Sequence, residues 1–220
     1  LKALGRGAEA DALLVPLSRE YHYYGQLALD ELGEIPGAWA PTAKFEADEA
    51  QIEAMQGRPE IQRTILLYRM GLRTEAGKEW DWAMRGLTDR ELLIAAEVAQ
   101  RNGMYDRSIN AAMRTIELHD FNLRYPAPYR EALQTPLQEH DVEEAWVYGL
   151  MRQESRFVTH AKSEVGAAGL MQIMPATARW AARRLGLKGY RKGMIHQLDM
   201  NLRLGTYYMN NAYSRFDASP

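Results

Sequence analysis

No cysteine occurs in the 220 residues, which excludes disulfides, thiol nucleophiles and cysteine-ligated zinc together. No run is apolar enough to span a bilayer and no signal-peptide pattern opens the chain. The chain starts at Leu1 without a Met, so a leader or an upstream domain is compatible with it. A large net charge is missing as well: 27 basic and 29 acidic side chains leave −2. That total hides an asymmetry, with 15 basic and 20 acidic in residues 1–125 and 12 basic and 9 acidic in 126–220. The surplus of positive charge suits an anionic polymer, but it is too small to argue for nucleic acid. The five histidines, His22, His119, His140, His160 and His196, show no metal-ligand spacing, so each is expected on the surface or in a loop. No metal and no cofactor is expected.

What is present is ordinary globular composition, 46% hydrophobic and 25% charged, enough for one large domain or two modest ones. The fold class reads as all-α. Ser18 is placed to cap a helix in which Tyr21, Tyr24, Leu27, Ala28 and Leu32 recur at helical spacing, with Gly33 as its stop. After a loop from Pro36 to Pro41, Thr42 is expected to open a charged helix ending near Gly57. Pro59 suits the first position of the next, whose buried side is read as Ile61, Ile65, Leu66 and Tyr68 to Met70. Further helices are expected from about Thr74 to Arg85, Asp89 to Gln100 and Asp106 to Leu118, separated by turns at Gly71, Gly86 and Gly103. Stacked antiparallel pairs of the tetratricopeptide kind and an ordinary helical bundle both fit, because no consensus repeat is legible.

Between Phe121 and Pro136 the pattern changes, and Pro126, Pro128 and Pro136 are expected to interrupt any helix. A domain boundary is placed here, giving 1–125 and 126–220. Asp141 then reads as the cap of a new helix, with Glu144 reaching back in a capping box. On that helix Trp146, Leu150 and Glu154 follow one another at i+4 steps, so an acid ends an apolar stripe. A carboxylate at a helix C-terminus opposes the macrodipole, and apolar neighbours disfavour its charge; both favour the protonated form that a general acid requires. The loop after it, SEVGAAGL, has residues small enough to admit a polymer, and lacks the spacing of a phosphate loop. In the following Met171–Met174 run, Gln172 offers a double-ended hydrogen-bonding group suited to an acetamido group. Pro175 is read as opening a helix to about Leu185, stopped by Gly186. Asp199 is read as capping a last helix through Leu202, Thr206, Met209, Tyr213 and Phe216, in which Gly205 allows close packing.

A glycosidase-type site with one carboxylate and a scaffold that merely binds a partner are both consistent with these residues. Glycoside hydrolysis usually takes two carboxylates, and only Glu164, in the loop, lies near Glu154 in sequence. A mechanism in which the substrate supplies its own assistance is therefore favoured.

The run ESRF…KSEVGAAGLMQIMPATA, with the later LDMNLRLGTYYM, closely resembles the catalytic domain of the family 1 lytic transglycosylases. The helical part before it resembles the linker region of the large soluble members. This resemblance implies a goose-lysozyme-like α fold following the end of a superhelical array. It also implies non-hydrolytic cleavage of the β-1,4 bond between N-acetylmuramic acid and N-acetylglucosamine, leaving 1,6-anhydro ends. By motif, Glu154 is the single catalytic acid and base, and Ser155 is the neighbouring serine whose hydroxyl can position it. Ser163, Gln172 and Met174 match groove-lining positions. Implied partners are peptidoglycan glycan strands and other cell-wall enzymes, in the periplasm, with any lipid anchor lying upstream of Leu1. Family members continue into an Ala-Tyr-Asn-Ala-Gly type segment, which Pro220 precedes, so the chain is expected to be a fragment. A goose-type muramidase and a non-catalytic peptidoglycan-binding module are the alternatives.

Overall fold

The structure, a computed structural model, describes residues 1–33, 45–140 and 142–215. It is all-α: among the described residues twelve α-helices and two short 3-10 turns account for the regular structure, with two isolated β-bridges. The expected Pro36–Pro41 loop, the opening at Thr42, the Asp141 cap and Phe216 lie outside the described residues. The chain divides into two compact units, Leu1–Glu46 and Ala47–Pro220.

In the first unit α1 (Gly7–Leu17) and α2 (Tyr23–Glu31) bury Ala10, Ala28 and Leu29. Ser18 does not start α2; it ends α1, its hydroxyl donating to the Val15 carbonyl at 2.9 Å. His22 is the cap instead, its Nδ1 accepting from the Gly25 N–H at 3.2 Å, which satisfies an orphan donor of the first turn as a serine would. Gly33, with φ 76°, follows the helix end as expected.

The second unit begins with α3 (Glu49–Gly57), opened by a capping box between Asp48 and Gln51. Pro59 is the first residue of α4 (Pro59–Arg69), which pairs with α5 (Arg73–Ala83). Ile61 and Ile65 are buried there, but Leu66 and Met70 are exposed and Thr64 takes the inner position, its hydroxyl satisfied by the Glu60 carbonyl at 3.0 Å. The centre of this half is α6 (Asp89–Arg101), capped by Thr88 and Glu91 and buried on nearly all sides through Leu92 to Ala96, Val98 and Ala99. Burial of each large side chain there contributes about 1.5–3 kcal/mol. Gly71, Gly86 and Gly103 adopt left-handed φ of 78°, 70° and 70° between these helices.

Helix α7 (Tyr105–Ala112) stops six residues short of the expected Leu118. The reason lies in residues 116–118, whose three backbone N–H groups all donate to Asp89 Oδ2, at 3.0, 2.7 and 2.9 Å, and so are taken out of any helix. His119 lies in the loop between α7 and α8, as expected, yet it is buried there, with Nδ1 2.8 Å from an Arg124 guanidinium nitrogen, so it accepts that bond as a neutral ring. Arg124, on α8 (Phe121–Arg124), is buried too and donates to the carbonyls of Ala112 and Thr115 at 2.9 and 3.1 Å.

Pro136 does not interrupt a helix: it sits inside α9 (Arg130–Glu139). Its ring is buried, and that burial offsets the one backbone bond a proline removes. Helix α10 (Glu144–Glu154) starts without a side-chain cap, and Glu144 pairs with Arg130 at 3.0 Å rather than reaching back. Then come α11 (Pro175–Arg184), with Pro175 at its first position, and α12 (Leu198–Arg215), which begins one residue before Asp199, so that Asp199 lies in the first turn instead of capping it. Val147 and Met151 of α10, Ala178 and Ala181 of α11, and Leu202 and Leu204 of α12 share one core with Ile109 of α7 and Leu133 of α9.

Candidate active site

Helix α10 ends where two consecutive residues, Arg156 and Phe157, take left-handed φ of 49° and 66°. This reversal drives the Phe157 ring into the core, 2% exposed, against Tyr105 at 6.3 Å between centroids. The Phe157 carbonyl accepts from the Tyr129 hydroxyl at 3.3 Å. Arg152 fixes the same turn from the other side, donating to the Arg124 carbonyl at 3.0 Å and lying 4.6 Å over the Tyr125 ring. The last residue of the helix, Glu154, is thereby held on an anchored end.

Trp146, Leu150 and Glu154, the row read from the sequence, line one cavity of about 330 Å3, within the range of small-ligand sites. Glu154 itself is exposed, so the apolar row lies beneath its carboxylate rather than around it. A helix-end glutamate ordinarily finds a neighbouring cation. Glu154 has no ion pair or hydrogen bond among the described residues, and no other carboxylate lines the cavity. Glu164, the other acid near Glu154 in sequence, is exposed in the loop and outside the lining.

The opposite wall is the 161–174 loop, folded back on itself by bridges from Ala168 to Lys162 and to Ile173. The loop is thus more ordered than a small-residue run suggests. Ser163 closes its turn: the hydroxyl accepts from Ala167 N–H at 2.9 Å and does not line the cavity. Gln172 and Met174 do line it. Gln172 adopts φ 44°, a costly conformation for a residue with a Cβ. It is held there by bonds to the Gly169 carbonyl from its backbone N–H at 3.2 Å and its side-chain Nε2 at 2.8 Å. Since that nitrogen faces an acceptor, Oε1 is the end left without a partner among the described residues. Ser155 points elsewhere than the motif suggests, its hydroxyl donating to the Met151 carbonyl at 3.2 Å rather than to Glu154.

One residue that the sequence reading passed over organises this wall. Asn201, 1% exposed on α12, accepts from the Met171 N–H at 2.9 Å and donates to the carbonyls of Ala168 at 3.1 Å and Ile195 at 2.8 Å. Its signal was an asparagine four residues before Gly205 and eight before Met209 on a helical face. Gly169 faces it so closely that a Cβ would collide with the Asn201 amide, and a Cβ at Gly205 would collide with Met171 Sδ. Close packing by Gly205, expected from sequence, is thus what lets Met171 seat against α12. Tyr208, one turn further along α12, lines the cavity and is 48% exposed. Trp146 is held from behind by Tyr213, ring centroids 5.2 Å apart.

Residues 131–220 match the family model of the transglycosylase SLT domain, and residues 54–120 match that of the soluble lytic murein transglycosylase L domain. Residues 131–220 belong to the SLT domain family of the lytic transglycosylases. It is 28% identical over 214 residues to the soluble lytic murein transglycosylase of Salmonella typhimurium, covering 96% of this chain and 32% of that protein. The corresponding Escherichia coli protein gives the same identity over 213 residues. Among solved structures, the 70-kDa soluble lytic transglycosylase of Escherichia coli superposes with a TM-score of 0.81 at 27% identity, over 100% of this chain and 35% of that one. The lytic transglycosylase Slt of Pseudomonas aeruginosa, solved as an inactive glutamate-to-glutamine mutant, gives 0.80 at 28% identity over 98% of this chain and 35% of that one. The chain therefore spans about a third of the length of the relatives it matches.

Proposed function

We propose that the protein of which this chain forms part is a peptidoglycan lytic transglycosylase, cleaving the β-1,4 bond between N-acetylmuramic acid and N-acetylglucosamine without water. The observation that carries the reading is that, in an SLT-family domain, Glu154 is the sole carboxylate lining the groove and has no partner among the described residues. In the first half of the reaction the Glu154 carboxyl donates its proton to the glycosidic oxygen as the bond from that oxygen to the anomeric carbon breaks. In the second, the resulting carboxylate takes the proton of the sugar's own 6-hydroxyl while that oxygen bonds to the anomeric carbon. One proton leaves and one returns, so a single carboxylate closes the cycle and the product carries a 1,6-anhydro ring. A hydrolytic muramidase would place a second acid or a held water across the sugar, and among the described residues no second carboxylate lines this cavity.

Gln172 and Met174 serve as polar and apolar contacts to the sugar, with Trp146 and Tyr208 as further walls. Ser155 and Ser163 support the groove through the backbone bonds described above, so their effect on substrate is indirect. We place the linker in residues 1–125, as the end of a superhelical array, and the catalytic domain in 126–220. The substrate locates the protein in the periplasm, and no helix among the described residues is long and apolar enough to cross a membrane. Other cell-wall enzymes are the proposed further partners.

Mass spectrometry of muropeptides released from purified peptidoglycan tests the reading. Anhydro ends are expected; reducing ends would overturn it in favour of a muramidase. Glu154→Gln should abolish release while leaving glycan binding, and binding without release by the unmodified protein would favour the binding module.

A further inference from the structure

The chain has no cysteine, so its 11 methionines are its only sulfur, and a two-electron oxidant finds its soft nucleophiles there alone. Most of these sulfurs are out of reach: Met55, Met84, Met104, Met151, Met171 and Met209 are buried, and Met194 and Met200 are partly covered. Among the described residues the exposed methionines are Met70, Met113 and Met174. They differ in what surrounds the sulfur. Met113 Sδ already accepts from an Arg152 guanidinium nitrogen at 3.2 Å, which makes its lone pair a poorer nucleophile. Met70 stands at the end of α4 and lines no part of the groove. Met174 is 41% exposed, its sulfur meets no donor among the described residues, and it lines the cavity that holds Glu154.

Two further thioethers line the same cavity, but Met209 is 7% exposed, and Met171 is seated so tightly on Gly205 that a Cβ there would meet its Sδ. Reaction within the groove is thus confined to one position. At that position the side chain can change without the fold, because the structural duty of Met174 falls to its backbone carbonyl, which starts α11 by accepting from the Ala178 N–H at 2.9 Å. We infer that Met174 is an oxidation site through which peroxide reversibly closes the Glu154 groove to glycan. The sulfur lone pair attacks one peroxide oxygen, the O–O bond breaks, an S–O bond forms and water leaves; sulfur is oxidised by two electrons and the peroxide is reduced by two. The product replaces a soft apolar contact with a polar sulfoxide, which must shed its water before a sugar face can lie against it. The exposure that admits peroxide also admits a thiol-dependent methionine sulfoxide reductase. There the oxygen leaves as water, two reductase thiols become a disulfide, and the thioether returns. The reactivity rests on the geometry alone, whereas its effect on glycan rests on the proposed function.

The test treats the chain with hydrogen peroxide, follows each methionine by peptide mass spectrometry, and measures glycan-strand binding and muropeptide release, each protein against its own untreated sample. Met70 and Met174 are expected to gain one oxygen well before Met171 and Met209. Glycan binding should weaken about tenfold in step with oxidation at Met174, with melting unchanged. Reductases specific for the two sulfoxide epimers should together restore it. Met174→Leu should lose nothing further on treatment. Met174→Gln, which carries a polar group on a chain of similar length, should show the weakened binding without oxidant. Oxygen on Met70 with none on Met174 overturns the inference, as does full oxidation at Met174 with binding intact. An equal loss in treated Met174→Leu does so too, since it assigns the effect to another residue. Weakened glycan binding on oxidation of Met174, in a protein whose untreated form releases reducing ends, strikes the functional reading and leaves the oxidation site standing. Anhydro release that persists through complete oxidation at Met174 does the reverse.

Discussion

Glu154 stands at the end of an anchored helix with its charge uncompensated among the described residues. Replacing it by Gln removes a proton donor and nothing structural. The Glu154→Gln chain should keep its helical circular dichroism and melting midpoint while losing turnover by several orders of magnitude, and retained turnover would remove the residue from the mechanism. Asn201 is the opposite kind of residue. Asn201→Ala leaves the Met171 N–H and the Ala168 and Ile195 carbonyls without their partner, each costing about 1–3 kcal/mol where water cannot reach. Urea denaturation should show a loss of several kcal/mol, and a loss under 1 kcal/mol would mean that solvent already serves these groups. Glu154, Gln172 and Met174 were legible because each breaks or extends an apolar pattern. Asn201 was not, since two of its three partners lie thirty or more residues upstream and no local pattern announces them. Ser155 was read as positioning Glu154 and Ser163 as lining the groove because sequence gives a hydroxyl no direction; each bonds to backbone close by.

Among the elements, α4 and α11 could be read from Pro59 and Pro175, and α6 from its turns at Gly86 and Gly103, signals that act locally. Those that were misjudged, the end of α7 and the path through Pro136, are decided by distant partners: Asp89 captures residues 116–118, and the core accepts a proline ring. The capture carries a pH dependence. Burial would push the Asp89 carboxyl up, but three backbone N–H bonds outweigh it and hold the group below its ordinary 3.8. His119 is pushed below its ordinary 6.5, first by burial and then by the Arg124 charge. For both groups the unfolded chain binds protons more readily than the folded one, so both stabilise at high pH and their contributions are lost on acidification. Thermal stability should fall from pH 6.5 downward as unfolded His119 protonates, and again below about pH 3.9 as Asp89 does. His119→Gln should flatten the first fall and leave the second, and an unchanged profile in that variant would exclude the buried ring as its source.

At the scale of the whole molecule, residues 47–220 share a continuous set of buried contacts, in which Ile109 and Tyr105 of α7 meet Leu133, Tyr129 and Phe157. A chain of residues 47–220 should therefore melt cooperatively, and one of residues 126–220 should melt earlier, having lost the packing behind Phe157. Equal midpoints would show that the catalytic half stabilises itself unaided. The wall opposite Glu154 has a consequence in time as well as in space. Residues 161–174 are bridged within themselves but pinned in place by Asn201 of α12, so this wall is not seated until α12 is present. A chain emerging residue by residue carries Glu154 past the exit before that wall can be set opposite it. The groove is thus assembled after the residue at its centre, with the docking of α12.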